Sequence, residues 1–169
     1  MILQGFKLKN INRRTEKHHL KNEGNVSVNT NLVQSVLVFV DESFSDVDLD
    51  TLSKILSIKT ENIQKITFCS GKNNDEIENA ISAKDFGLFG KCKKNLEQIK
   101  LSKEIDLIIN YTQNNSYVNN LIAQSNANFS VGVRNEYSKI YDLVIDVEKN
   151  ELELFNVELE KYLKILKKI

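Results

Sequence analysis

The sequence predicts an α/β fold, a three-layer αβα sandwich with a mostly parallel, flavodoxin-like or Rossmann-like sheet of about five strands. Two observations predict it. Short continuous apolar runs rich in β-branched residues recur along the chain, which is typical of strands covered on both faces. Segments with helical periodicity separate them, and this alternation indicates parallel βαβ units. At 169 residues, the chain has the length of one domain with its own core.

Five apolar runs mark the predicted strands. Four are continuous and rich in β-branched residues, whereas one is weaker because Gly132 interrupts it. The predicted strands are 35–40, 65–69, 105–110, 128–133 and 141–146. Because sequential strands tend to be neighbours and βαβ crossovers are right-handed, we expect a flavodoxin-like strand order.

Three helices are predicted between and after these strands. Asp46 or Asp48 can cap the first, and Asn115 or Ser116 the second, because their side-chain oxygens accept hydrogen bonds from first-turn amides. The last helix spans about 151–168. Apolar residues at steps of three and four give each helix an inward face. These are Leu49, Leu52, Ile55 and Leu56, then Val118, Leu121 and Ile122, then Phe155, Leu159, Tyr162, Leu163, Leu166 and Ile169.

Residues 70–104 do not follow this alternation. Residues 70–75 have the composition of a turn, and the run KDFGLFGK over 84–91 sets Gly87 and Gly90 around two apolar residues. Two glycines so close together disfavour a regular helix. We expect a short strand, a hairpin-like insertion or an apolar loop over one sheet edge.

Charge is distributed unevenly, although the formal net charge is zero. The first 24 residues hold six cations and two acids, so this head carries four positive charges and the rest of the chain four negative ones. The cations are Lys7, Lys9, Arg13, Arg14, Lys17 and Lys21. Such asymmetry indicates an acidic partner. We predict a basic N-terminal helical head over 1–24 and a single α/β domain over 25–169.

The head has several interpretations. Ile2, Leu3, Phe6 and Ile11 lie near one helical face, so the head can be a basic amphipathic helix that binds RNA, an anionic membrane surface or an acidic protein groove. The membrane interpretation is weaker because the apolar side is short, lacks Trp and contains Gly5. Alternatively, the apolar residues pack on the body and the cations are solvated. No motif for specific DNA recognition is present.

These observations favour a non-enzymatic binding or accessory module that docks through its head to RNA, the ribosome or a protein complex. The alternative is a small-ligand-binding or enzymatic domain, whose site would lie beyond the carboxyl ends of the strands. Its candidate residues are Asp41, Glu42, Asn110, Tyr111, Arg134 and Asn135. A further alternative is a structural oligomer subunit completed by the C-terminal helix.

The residues that could bind a cofactor or a metal do not form a recognisable site, so we expect neither. The loop after the first strand is acidic and lacks the glycines of a phosphate-binding site. Asp41, Glu42 and Asp46 are more typical of solvated acids and a helix cap than of a Mg²⁺ site. The two histidines, His18 and His19, lie together in the head.

Two residue types support a structural rather than a catalytic interpretation. Cys69 and Cys92 have no metal-binding spacing, so we expect buried thiols in a cytoplasmic protein. Arg134 can bind an anion, but a surface salt bridge is the favoured interpretation.

Several segments resemble an uncharacterised family of small proteins from flavobacteria and their relatives. They are the Gly5-Phe6-Lys7 head, the 84–91 run, the 141–146 strand and the lysine-rich C-terminal helix over 160–169. This resemblance implies a bacterial cytoplasmic protein and no particular activity. Residues 105–146, with Ala127 to Gly132, also resemble part of the N-terminal domain of heptosyltransferase-type glycosyltransferases. This second resemblance implies a domain derived from such an enzyme, without its nucleotide-sugar half.

Overall fold

The computed structural model describes residues 2–22, 32–42, 47–70, 77, 79–94, 104–134, 137–148 and 151–169. These residues form an α/β sandwich with a mostly parallel sheet, as predicted. The helices are α1 (Ile2–Asn22), α2 (Leu49–Leu56), α3 (Ser116–Gln124) and α4 (Leu152–Ile165). The main sheet contains β1 (Val36–Asp41), β2 (Ile63–Cys69), β3 (Ala80–Ser82), β5 (Leu107–Asn110), β7 (Ser130–Val133) and β8 (Leu143–Ile145). A small second sheet pairs β4 (Glu104–Ile105) with β6 (Asn126–Ala127).

The main sheet has the order β3-β2-β1-β5-β7-β8, and every neighbouring pair is parallel. Without β3, this is the predicted flavodoxin-like order. The sheet has six strands rather than about five because β3, from the irregular 70–104 region, pairs with the end of β2. The order reverses between β1 and β5, where Phe39 is paired with both Ile66 and Asn110.

Alternate residues of β1 pack into two separate cores. Leu37 and Phe39 join a core that includes α3, whereas Val38 and its neighbours at 36 and 40 join a core that includes α2 and α4. Burial on both sides explains why the strand sequence is a continuous apolar run rather than an alternating one.

The predicted caps are confirmed. Asp48 accepts hydrogen bonds from the amides of Asp50 and Thr51 at 3.0 and 3.2 Å, and Asn115 Oδ1 caps α3. The inward face of α4 is only partly as predicted, since Tyr162 and Leu166 are exposed. Phe155, Leu159 and Leu163 are sufficient to hold α4 on the sheet.

The first helix, α1, packs against α3. Its buried side differs from the predicted apolar face, because Ile11 is buried whereas Leu3 and Phe6 are exposed. Thr15 and a half-buried Leu8 complete the inward side. The interpretation in which the apolar residues of the head pack on the body therefore holds for Ile11 and is wrong for Leu3 and Phe6.

Candidate docking surface

Asp41 and Glu42 lie at the end of β1, and Glu42 Oε1 accepts a hydrogen bond of 3.1 Å from the amide of Ser70. This bond links the ends of β1 and β2. Asn135 lies outside the described residues.

Asn110 and Tyr111 are buried within the fold. Asn110 Nδ2 donates to the Tyr141 hydroxyl at 2.7 Å, and Asn110 Oδ1 accepts from the amide and hydroxyl of Thr112. The Tyr111 hydroxyl donates to Asn156 Oδ1 at 2.6 Å, and burial raises the pKa of Tyr111 far above its ordinary value. Both side chains therefore stabilise the ends of the strands through internal hydrogen bonds.

Arg134 forms the surface salt bridge favoured from the sequence. Its Nε lies 3.0 Å from Asp146 Oδ2, and both side chains are largely exposed. An exposed pair of this kind contributes little to stability. Glu42, Asn110, Tyr111 and Arg134 of the predicted ligand set are thus each engaged in a different local contact.

Two cavities among the described residues each include two glutamates in an otherwise uncharged lining. One, of about 10 Å³, lies beside Tyr111 near the strand ends and includes Glu148 and Glu151. It has room for about one water molecule. The other, of about 230 Å³, lies at the opposite strand ends and includes Glu61 and Glu104. Carboxylates in these positions disfavour a phosphate-bearing ligand.

The described residues contain no group of three or more side chains suited to a metal ion, and Asp46 of the Mg²⁺ hypothesis lies outside them. Cys69 and Cys92 are buried free thiols. Burial raises the pKa of both, which disfavours the reactive thiolate form. The prediction of buried structural cysteines is confirmed.

A network of close contacts fixes α1 on the body. Gly90 lies so near that a Cβ atom on it would be 3.0 Å from the Ile11 Cα. Asn120 Nδ2, on α3, donates to the Ile11 carbonyl at 3.3 Å and to the Thr15 hydroxyl at 3.2 Å. Arg14 donates to Gln124 Oε1 from Nε at 3.2 Å and from its terminal nitrogen at 2.9 Å.

Two of the predicted partner-binding cations have internal contacts. Arg14 is held by α3, and Lys7 Nζ donates to the Ala83 carbonyl and lies 5.7 Å from the centre of the Tyr117 ring. Burial, followed by the charge of Lys93, lowers the pKa of Lys7. These two side chains help to attach the helix rather than projecting freely from it.

Three other cations form the outward side of α1, which we call the basic face. Lys9, Arg13 and Lys17 are exposed and follow one another at four-residue steps. Such steps place side chains on one side of a helix, about 6 Å apart along its axis. Glu16 is the exposed acid close to them. The side chain of Lys21 lies outside the described part of α1.

Beside α1 lies a turn from the irregular region, which we call the apolar turn (87–90). The Gly90 amide donates to the Gly87 carbonyl at 3.0 Å, and Phe86 pairs antiparallel with Cys92 across it. The hairpin-like insertion expected in this region is therefore present. Asn10 Nδ2 of α1 donates to the Leu88 carbonyl at 3.1 Å.

The sequence did not reveal that this turn lies beside the head, because the two segments are far apart in the chain. The unusual signal was an apolar pair, Leu88 and Phe89, at the centre of a Gly-flanked turn, where polar residues predominate.

Comparisons with known proteins give no functional assignment. Neither the curated proteins nor the solved structures contain a match to this chain. The model of a family of unknown function, DUF6913, matches residues 7–166. That match covers α1 from Lys7 onwards, the whole sheet and the whole of α4. The chain therefore belongs to the family of unknown function DUF6913.

Proposed function

We propose that this protein is a non-enzymatic binding module that docks to an acidic partner through the basic face of α1. One observation carries the proposal. Lys9, Arg13 and Lys17 are exposed along one side of a helix whose other side is buried. A partner therefore meets cations on a helix already held in place, which reduces the conformational entropy lost on binding.

Several features are consistent with this proposal. RNA, including ribosomal RNA, and acidic protein complexes both present the negative charge that the basic face attracts. Among the candidate ligand-binding residues at the strand ends, Asn110 and Tyr111 have buried hydrogen bonds and Arg134 has a surface salt bridge. We also propose that the protein comes from a flavobacterium or a relative and is cytoplasmic. Its two free thiols are consistent with a reducing compartment.

Charge reversal is the appropriate test, because deletion of the head would also remove Ile11 from the core. The test protein carries Lys9→Glu, Arg13→Glu and Lys17→Glu. The matched control carries Lys54→Glu, Lys139→Glu and Lys167→Glu, which change the net charge equally at exposed positions elsewhere. Both are compared with the wild type by affinity capture from a lysate, with and without nuclease and at two salt concentrations.

We expect the wild type and the control to capture the same acidic partner and the test protein to lose it. Raised salt should weaken the capture, since the attraction is screened. Loss on nuclease treatment identifies RNA, and persistence identifies a partner other than nucleic acid. Equal capture of RNA, protein and anionic lipid by the test protein and the control would show that the proposal is wrong.

Two alternatives stay predictions. A ligand-binding domain derived from a glycosyltransferase-like half would be stabilised in a thermal-shift screen of nucleotides and sugar phosphates, by about 2.7 kcal/mol at 100 times the dissociation constant. A structural oligomer subunit would have a solution mass that is a multiple of 19.4 kDa.

A further inference from the structure

An exposed apolar patch adjoins the basic face. Its members are Leu3, 68% exposed, Phe6, 50% exposed, Leu88, 48% exposed, and Phe89, 75% exposed. Leu3, Phe6 and Asn10 follow one side of α1 at helical spacing, and Asn10 bonds to the backbone of Leu88. This bond therefore places the turn beside the side of α1 that carries Leu3 and Phe6. Grouped exposed apolar residues on a monomer indicate an interaction site.

The apolar turn has the form of a projecting tip. Leu88 and Phe89 occupy the two central positions of a turn closed by the Gly90 to Gly87 hydrogen bond. The Gly87 amide donates to the Lys91 carbonyl at 2.9 Å, so part of the backbone polarity near the tip is satisfied within the hairpin. A tip of this kind can enter an apolar medium at a low cost in unsatisfied backbone groups.

Exposed lysines lie close to this tip in the sequence. Lys84 precedes it, and Lys91 and Lys93 follow it. Asp85, the acid among them, bonds internally through its carboxylate to the amide and hydroxyl of Ser82. With the basic face of α1 alongside, the surface combines protruding apolar side chains with a strong positive charge.

We infer that the acidic partner is an anionic lipid bilayer, entered at its interface by Leu88, Phe89, Leu3 and Phe6 while the lysines contact the headgroups. This inference rests on the proposed docking function and names its partner. Apolar residues beside lysines are the combination that binds anionic membrane surfaces. Among the described helices, none has the length and apolarity needed to cross a membrane, so the proposed contact is peripheral.

A bilayer fits this surface better than RNA does. Bases would stack on Phe6 and Phe89 but gain nothing comparable from Leu3 and Leu88, whereas the acyl region accepts all four side chains. A fluid bilayer also accommodates a protruding tip without a preformed groove. Leucine in place of Phe89 therefore distinguishes the two partners, because it keeps an apolar side chain and removes the stacking ring.

The first experiment uses the absence of Trp from the chain. Phe89→Trp introduces a single fluorescent reporter at the tip, and Leu154→Trp introduces one at an exposed position of α4. Each full-length protein is mixed with vesicles of phosphatidylcholine alone or with phosphatidylglycerol. We expect the emission of the Phe89→Trp protein to shift to the blue only with the anionic vesicles, and that of the Leu154→Trp protein to stay unchanged. No shift for the tip reporter with either vesicle would overturn the inference.

The second experiment measures sedimentation with the anionic vesicles. Leu88→Ser with Phe89→Ser should weaken vesicle binding roughly tenfold or more, because the two apolar side chains that enter the bilayer are lost. Phe89→Leu should bind nearly as well as the wild type, and so should the control Leu154→Ser with Val157→Ser on α4. Unchanged binding of the double-serine tip variant would contradict the inference.

These outcomes are separate from those of the docking proposal. Capture of RNA or protein that depends on the basic face, without vesicle binding, would overturn the lipid inference and leave the docking function standing. RNA binding that is lost with Phe89→Leu would also overturn the lipid inference and leave the docking function standing. If reversal of the basic face changes neither capture nor vesicle binding, the docking function itself is wrong.

Discussion

At the scale of single residues, Gly90 determines how closely α1 approaches the body. Its φ of +75° lies in the left-handed region, and a Cβ atom would be 3.0 Å from both the Cα and a side-chain carbon of Ile11. Backbone atoms cannot move away as easily as the end of a flexible side chain. Glycine is therefore needed at position 90 both for the left-handed backbone conformation and for the close contact with α1.

We expect Gly90→Ala to lower the free energy of unfolding by about 2 kcal/mol, through backbone strain and the contact with α1. The control is Gly5→Ala in α1, where no atom lies within 4 Å of the added Cβ. That change should stabilise the protein by up to about 1 kcal/mol, because Ala favours the helix. Urea unfolding measures both, and similar effects of the two substitutions would contradict the packing of Gly90 on α1.

A second prediction at this scale concerns Tyr141. Its hydroxyl donates to Asn119 Oδ1 at 2.7 Å and accepts from Asn110 Nδ2 at 2.7 Å, in a buried environment. Tyr141→Phe should lower the free energy of unfolding by about 1–3 kcal/mol, because the buried amides of Asn110 and Asn119 lose a hydrogen-bond partner. Tyr162→Phe on the exposed side of α4 should change stability by less than about 0.5 kcal/mol. Equal midpoints in urea unfolding would argue against the network.

At the scale of elements, Asp106 joins the segments that precede β1 and β5. Its Oδ2 accepts hydrogen bonds from the amides of Gln34 and Ser35 at 3.1 and 2.9 Å and from the Ser35 hydroxyl at 2.9 Å. Burial raises the pKa of Asp106, but the hydrogen bonds, led by that from the Ser35 side chain, lower it more. The ionised form is therefore favoured in the folded protein.

A pKa lowered by folding stabilises the protein above the ordinary pKa of 3.8, and this contribution disappears as the pH falls through the lowered folded value. We expect Asp106→Asn to lower the free energy of unfolding by about 1–2 kcal/mol at pH 7. The difference in this free energy between the variant and the wild type should shrink below about pH 4. Asp146→Asn, at the exposed Arg134 pair, serves as the control and should cost less than about 1 kcal/mol. A pH-independent difference for Asp106→Asn would contradict this account.

At the scale of the whole molecule, α1 is part of the core. Ile11 is fully buried in the same apolar cluster as Phe39 and Ile108 of the sheet. Removal of residues 1–22 should lower the free energy of unfolding by at least about 2 kcal/mol, because apolar surface of the body is exposed. Thermal unfolding and binding of the dye ANS measure this effect. A truncated chain as stable as the full one, with no added dye binding, would show that the helix is dispensable for the core.

Much of the sheet could be predicted because each central strand is apolar on both sides, and Asp48 and Asn115 could be identified as caps from local chemistry. The position of α1 could not, since Lys7 reaches Ala83 and Asn120 reaches Ile11 across large separations in sequence. For the same reason, the cations of the head could be identified from the sequence, but it could not be predicted which of them are exposed. Lys9 and Arg14 look equivalent in the sequence, and only the tertiary contact with Gln124 distinguishes them.

The anchoring of α1 also affects the order of events during synthesis. The bond between Asn120 and the Ile11 carbonyl joins residues 109 positions apart, so the helix is made well before the helix that receives it. At about 5–20 residues per second, this delay lasts roughly 5–20 seconds. During that time the surface around Ile11 and Thr15 cannot be covered by α3. The growing chain therefore exposes Ile11 and Thr15, which the finished protein buries.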